Sequence, residues 1–149
     1  MSNHFHLLLR EKTEKGISKY MHKIGTGFTK YFNLRNERIG NLFVKPFRSK
    51  HISDDQYLQR VLQYIHLNPA ELFEPGWKKG RVRNFPLLKQ KLLAYPYSSF
   101  IDYYSTEVRP KRAILDEEAM SFFTDNQSIE KMLAEATEYY AEFRGDATD

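Results

Sequence analysis

Two residue pairs in this chain have the types and the spacing to do chemistry. His4 and His6 are one residue apart, so on a strand both imidazoles point to the same face. Two nitrogens presented by one rigid strand can hold a single divalent metal, with Phe5 turned to the opposite face. The second pair lies in Tyr64-Ile65-His66-Leu67-Asn68-Pro69. Tyr64 and Asn68 are one helical step of four apart, which places their side chains on one helix face. With Leu58, Val61, Leu62 and Ile65 as the buried stripe, that polar pair sits at the flank of the core and can meet a groove. His66 points roughly 200° away from Tyr64 on a helix of 3.6 residues per turn. It reads as a satisfied structural or surface histidine, not as a ligand.

The elements that must position these residues follow from periodicity. His4 to Arg10, HFHLLLR, reads as a short strand, because apolar residues run through it without a helical gap. Ile17 to Phe32 reads as a helix, with Ile17, Tyr20, Met21, Ile24, Phe28, Tyr31 and Phe32 on one apolar stripe. Asn41 to Ile52 reads as an edge strand or two short extended pieces, since Pro46 cannot donate to a ladder. A helix begins at Ser53, where Ser53 and Gln56 have capping-box spacing, and it is stopped by Pro69. Residues 71–84 read as a loop rich in Gly, Pro and Lys. A short helix is expected over Phe85 to Ala94, and an aromatic segment with a turn at Pro96 over Tyr95 to Tyr104. The last part reads as a helical hairpin: Asp116 to Phe123, then Ile129 to Phe143 with Met132, Leu133, Ala136, Tyr140 and Phe143 on one side.

Composition bounds the answer. The chain has 149 residues with 41% hydrophobic and 28% charged side chains, which is ordinary for a soluble globular domain. No apolar run approaches the roughly 18 residues of a bilayer span. Without cysteine there is no disulfide framework and no thiolate metal site, which suits a reducing cytoplasm. The net charge of +4 hides an asymmetry: residues 1–112 carry 21 Lys/Arg against 9 Asp/Glu, and residues 113–149 carry 2 against 10. A basic body with an acidic tail suits a polyanion partner such as DNA or RNA.

Four segments together carry a resemblance to a known family. NHFHLLL followed by a basic helix, then GNLFVKPFRSKHI, QYIHLNP and YPYSSFIDY, resemble the single-tyrosine HUH transposases in order and spacing. They are especially similar to the REP-associated tyrosine transposase group. The likeness covers nearly everything from Ser2 to Tyr104. It implies an α+β fold, a small antiparallel sheet with helices packed on it, ferredoxin-like and N-terminally truncated. Relatives have a strand, a helix and a strand before the HUH strand. It also implies a division into a transposase-like domain over 1–105 and an acidic helical extension over 106–149. A homodimer or an intruding segment could cover the sheet edge that the missing elements leave unpaired.

By position, the resemblance makes His4 and His6 metal ligands, Asn68 the third ligand and Tyr64 the nucleophile. The metal implied is Mg²⁺ or Mn²⁺, although histidines alone would suit softer metals such as zinc. The implied activity is nicking and rejoining of single-stranded DNA through a 5′-phosphotyrosine, on hairpin-bearing substrates, in the nucleoid-associated cytoplasm. A metal makes sense here, because phosphate oxygens repel an incoming anion. A tyrosine of ordinary pKa near 10 also needs help to lose its proton. Lys19, Lys23, Lys30, Arg35, Arg38, Lys45, Arg48 and Lys50 could line a phosphate path. Tyr31, Phe43 and Phe47 could stack bases. Asn41 and Val44-Lys45-Pro46 stand where relatives more usually have His and Gln-Gly-Arg. Two alternatives accompany this reading: a DNA- or RNA-binding remnant without turnover, and a water-using phosphodiesterase in which Tyr64 is dispensable.

Overall fold

The computed structural model describes residues 4–44, 46–105, 107–116, 118, 121 and 128–142, with side chains as far as 138. They divide into two compact units, Leu7–Ile52 on one hand and Met1–His6 with Ser53–Asp149 on the other.

The larger unit is helical. In it, α2 spans Asp55–Leu67, α3 Ala70–Phe73, α4 Phe85–Leu93, α5 Phe100–Tyr104 and α6 Ile129–Glu142, with 3-10 turns at Trp77–Lys79 and Pro110–Ile114. Its core gathers Leu67, Ala70, Trp77, Leu88, Leu92, Phe100, Ile129, Met132, Leu133 and Ala136. Trp77 and Phe100 are completely buried, and they lie in or beside stretches whose composition reads as loop. A bulky ring with nowhere else to bury its area organises such a stretch regardless of its glycines. Gly80, at φ 71°, ends the turn that carries Trp77. It takes a left-handed conformation that suits glycine.

The start of α2 differs in detail from the expected capping box. Asp54, not Ser53, is the N-cap: its Oδ1 accepts from the Tyr57 N–H at 2.7 Å, and the Ser53 hydroxyl donates to its Oδ2 at 2.8 Å. A carboxylate both caps the N–H and meets the positive end of the helix dipole, so it outcompetes the hydroxyl one position earlier. These bonds, with the Tyr57 amide first, hold the Asp54 carboxyl below the usual range. The other end is as expected: α2 ends at Leu67 with Asn68 as its C-cap, immediately before Pro69, and the separate short α3 begins after the proline, whose φ of −59° suits a helix start.

The face that α2 buries is rotated from the expected stripe. Leu62, Gln63, His66 and Leu67 are buried, whereas Leu58, Val61 and Ile65 are half-buried. Periodicity counts apolar residues, and it misses a polar side chain that is buried because it has partners. Gln63 has one in α6, donating from Nε2 to Glu135 Oε2 at 2.8 Å.

The smaller unit holds α1, Gly16–Arg35. The helix is longer than its apolar stripe predicts, and none of its residues is buried. Phe28 makes ring contacts with Tyr31, Phe32 and Phe43 at 6.0–6.3 Å between centres. The Asn33 amide donates to the Gly40 carbonyl at 2.8 Å, which folds the following turn back on the helix.

The expected α+β fold is not found: no strand or sheet is present among the described residues. His4–Arg10 and the described part of Asn41–Ile52 lack regular structure. An apolar run marks a segment fit for a ladder, but a strand exists only where a neighbour supplies its hydrogen bonds. Pro46 removes a donor from the only other candidate. The helix expected over 116–123 falls largely outside the described residues, as do the side chains of Tyr140 and Phe143.

Candidate functional site

The larger unit brings His4, His6, Tyr64 and Asn68 together. His6 and Asn68 are 62 residues apart in sequence, yet Asn68 Nδ2 lies 3.3 Å from His6 Nε2. The His6 ring meets the Tyr64 ring edge-on at 5.2 Å between centres, and the His4 ring meets His6 in the same way at 5.1 Å. Asn68 is buried, His6 and Tyr64 are half-buried and His4 is exposed. The site therefore grades from the helix flank outward to solvent.

Each placement has a local cause. Tyr64 and Asn68 share a face of the last turns of α2, where the Asn68 N–H donates to the Tyr64 carbonyl at 3.0 Å. Asn68 is held on its other side by the Glu71 N–H, which donates to its carbonyl at 3.2 Å. His66, on the opposite face, anchors the helix. Its Nδ1 lies 2.8 Å from the Leu62 carbonyl and its Nε2 lies 2.8 Å from Ser99 Oγ. A carbonyl can only accept, so Nδ1 carries the proton and Nε2 accepts from the Ser99 hydroxyl. Phe100 stacks on the His66 ring at 5.6 Å and Tyr103 meets it edge-on at 5.3 Å. Burial lowers the His66 pKa to about 4, so it is a neutral structural group. Burial, and secondly the charge of nearby His4, also hold His6 below the ordinary histidine value.

The donor set fits a divalent cation. With Asn68 Nδ2 donating, His6 Nε2 is a lone pair, which is the state a metal requires. The two ends of an amide are exchanged by a half-turn, and that turn puts Oδ1 where Nδ2 stands. Neighbouring ligands of an octahedral ion with bonds near 2.1 Å lie roughly 3 Å apart, close to the separation of these two groups. His4 flanks the same point. Among the described residues no group of three or more His, Cys, Asp or Glu could hold a metal.

The basic residues singled out in the sequence belong to the other unit. Lys19, Lys23, Lys30, Arg35, Arg38, Arg48 and Lys50 are exposed on Leu7–Ile52, and Lys45 lies outside the described residues. Arg35 donates to the Tyr31 hydroxyl at 2.7 Å. Of the expected stacking rings, Phe43 is half-buried beside Phe28, whereas Phe47 and Tyr31 are exposed.

One strong interaction escaped the sequence reading. Asp102 of α5 is buried and accepts from Arg109 Nε at 2.9 Å and from its Nη2, while Arg112 Nη1 donates to the Asp102 carbonyl at 2.7 Å. Nothing in the spacing of an isolated acid and an arginine seven residues later marks this pair.

No family model, curated protein or solved structure matches this chain. No described helix is long and apolar enough to cross a membrane.

Proposed function

We propose that this protein nicks and rejoins single-stranded DNA with Tyr64 as the nucleophile, in the manner of the single-tyrosine HUH transposases its sequence resembles. The observation that carries the reading is the convergence of His6 with Tyr64 and Asn68 across more than fifty residues of chain. Four residues singled out in the sequence lie together on the larger unit, although the sheet expected to align them is absent from the described residues.

The chemistry follows from the groups. Tyr64 Oη forms a bond to phosphorus, the P–O3′ bond breaks, and the departing 3′ oxygen takes a proton. The 5′ phosphate is then esterified to Tyr64, and attack by another strand's 3′-hydroxyl reverses the step and returns a proton to Oη. A divalent ion held by His4, His6 and Asn68 would polarise the phosphate and offset its negative charge. The half-buried setting of Tyr64 limits water at the ester. The exposed lysines and arginines of the smaller unit supply attraction for a polyanion.

The test incubates the purified chain and Mn²⁺ with labelled hairpin oligonucleotides and resolves the products on denaturing gels. A covalent adduct is expected that disappears in Tyr64→Phe and with chelator. Cleavage without adduct that survives Tyr64→Phe would replace this reading with hydrolysis by water. A second reading, DNA binding without turnover, is favoured by one observation: His4 and His6 sit on a segment without regular structure, which holds them less rigidly than a sheet would. Binding with neither adduct nor cleavage would establish it.

A further inference from the structure

Tyr95-Pro96-Tyr97 places a ladder of aromatic rings on the unit that carries Tyr64. Phe73 of α3 meets Tyr95 edge-on at 6.2 Å between ring centres, and Tyr95 meets Tyr97 likewise at 5.7 Å. A lysine stands at each end. Lys91 Nζ lies 5.5 Å over the Phe73 ring, and Lys111 Nζ lies 5.8 Å over the Tyr97 ring. Tyr97 is 83% exposed, so core packing does not account for it.

The ladder is also held in place. Pro96 fixes its own φ between the two tyrosines, and Lys111 donates to the Pro96 carbonyl at 3.1 Å. At the other end Phe73 packs against the buried core. A solvent-facing ring on a braced turn, with an ammonium beside it, has lost part of the freedom that binding would otherwise have to remove. Its faces suit a flat aromatic partner, and its flanking cations suit the phosphates that accompany such partners in a nucleic acid strand.

We propose that Phe73, Tyr95 and Tyr97 form a stacking platform for unpaired bases of single-stranded DNA, with Lys91 and Lys111 meeting the adjoining phosphates. The choice of DNA as ligand rests on the reading of Tyr64 above. The two sites are linked through the chain, because α3 begins immediately after Asn68-Pro69. In a duplex the faces of each base are covered by stacking on the neighbouring pairs, so the platform selects single strands.

The test uses the full chain carrying Tyr64→Phe, which cannot be captured covalently, and measures fluorescence anisotropy with a labelled single strand and with its duplex. Tyr97→Ala is expected to weaken single-strand binding roughly tenfold, the scale of one lost base stack, with Tyr97→Phe near the parent value. Lys111→Ala is expected to lower the salt slope by about one. Because Tyr97 is so exposed, its variants should keep the parent melting temperature. Unchanged single-strand affinity in Tyr97→Ala overturns the platform. So does an equal loss for duplex, and so does a parent that binds no single strand. Failure of the Tyr64 reading looks different: the wild-type chain forms no adduct while the Tyr97 effect persists.

Discussion

At the scale of single residues, two histidines that meet α2, His6 beside Asn68 and His66 within the helix, take opposite roles because of where their rings can go. His6 keeps a lone pair directed at an amide beside a half-buried tyrosine. His66 spends both ring nitrogens on Leu62 and Ser99, and that makes it a stability determinant with a definite pH signature. Its folded pKa of about 4 lies below the ordinary 6.5, so the unfolded chain binds the proton more tightly. The stabilisation is therefore fully present above about pH 6.5 and is lost as pH falls toward 4, by an amount on the order of 3 kcal/mol. His6 is shifted the same way and adds to the loss. Denaturant titrations across this window should show stability falling with pH in the parent. The slope should be mostly gone in His66→Gln, and a variant that kept the full slope would assign it to other groups.

At the scale of elements, the helices were legible and the sheet was not, for one physical reason. A helix satisfies its backbone within its own segment, so the stripes in 17–32, 58–65 and 129–143 located α1, α2 and α6. A strand depends on a distant partner, and HFHLLLR carries no information about whether one exists. Burial of polar residues was hidden for a related reason: Gln63 and His66 enter the core because Glu135 and Ser99 meet them there. The candidate site was more legible than the sheet, since residue type and i, i+4 spacing marked Tyr64 and Asn68 before any contact was known. The pairing of Asp102 with Arg109 was not legible, and it carries the element-scale prediction. It ties α5 to the segment leading into the turn at Pro110–Ile114, and the aspartate is only 2% exposed. The carboxylate is also the first cause that raises the Arg109 pKa, through its hydrogen bond. Arg109→Met would leave a buried carboxylate without its main counter-charge and should cost about 3 kcal/mol in thermal or chemical denaturation. Adding Asp102→Asn should recover part of that loss. If the double variant were as unstable as the sum of the two single ones, the pair would not be coupled.

At the scale of the whole molecule, the two units differ in what holds them. The larger one closes around Trp77, Phe100 and the apolar face of α6, which are removed from water almost completely. In the smaller one, α1 buries no residue, and Tyr20, Phe28, Tyr31 and Leu34 are all exposed. Helices owe most of their stability to packing of an apolar face, and propensity alone leaves a single helix marginal. Two non-glycine residues bracketing α1, Lys15 at φ 58° and Glu37 at φ 50°, also adopt the left-handed conformation, which costs roughly 1–2 kcal/mol each. Opening of α1 should therefore take far less free energy than opening of the Trp77 core. Native-state hydrogen exchange should show the amides of 20–35 exchanging well before those of 58–67 and 132–137. A saturating single-stranded oligonucleotide should slow exchange in α1 if its exposed lysines and aromatic rings take up the strand. Equal protection of α1 and α2 in the free chain would mean that α1 draws its stability from packing as extensive as that of the larger unit.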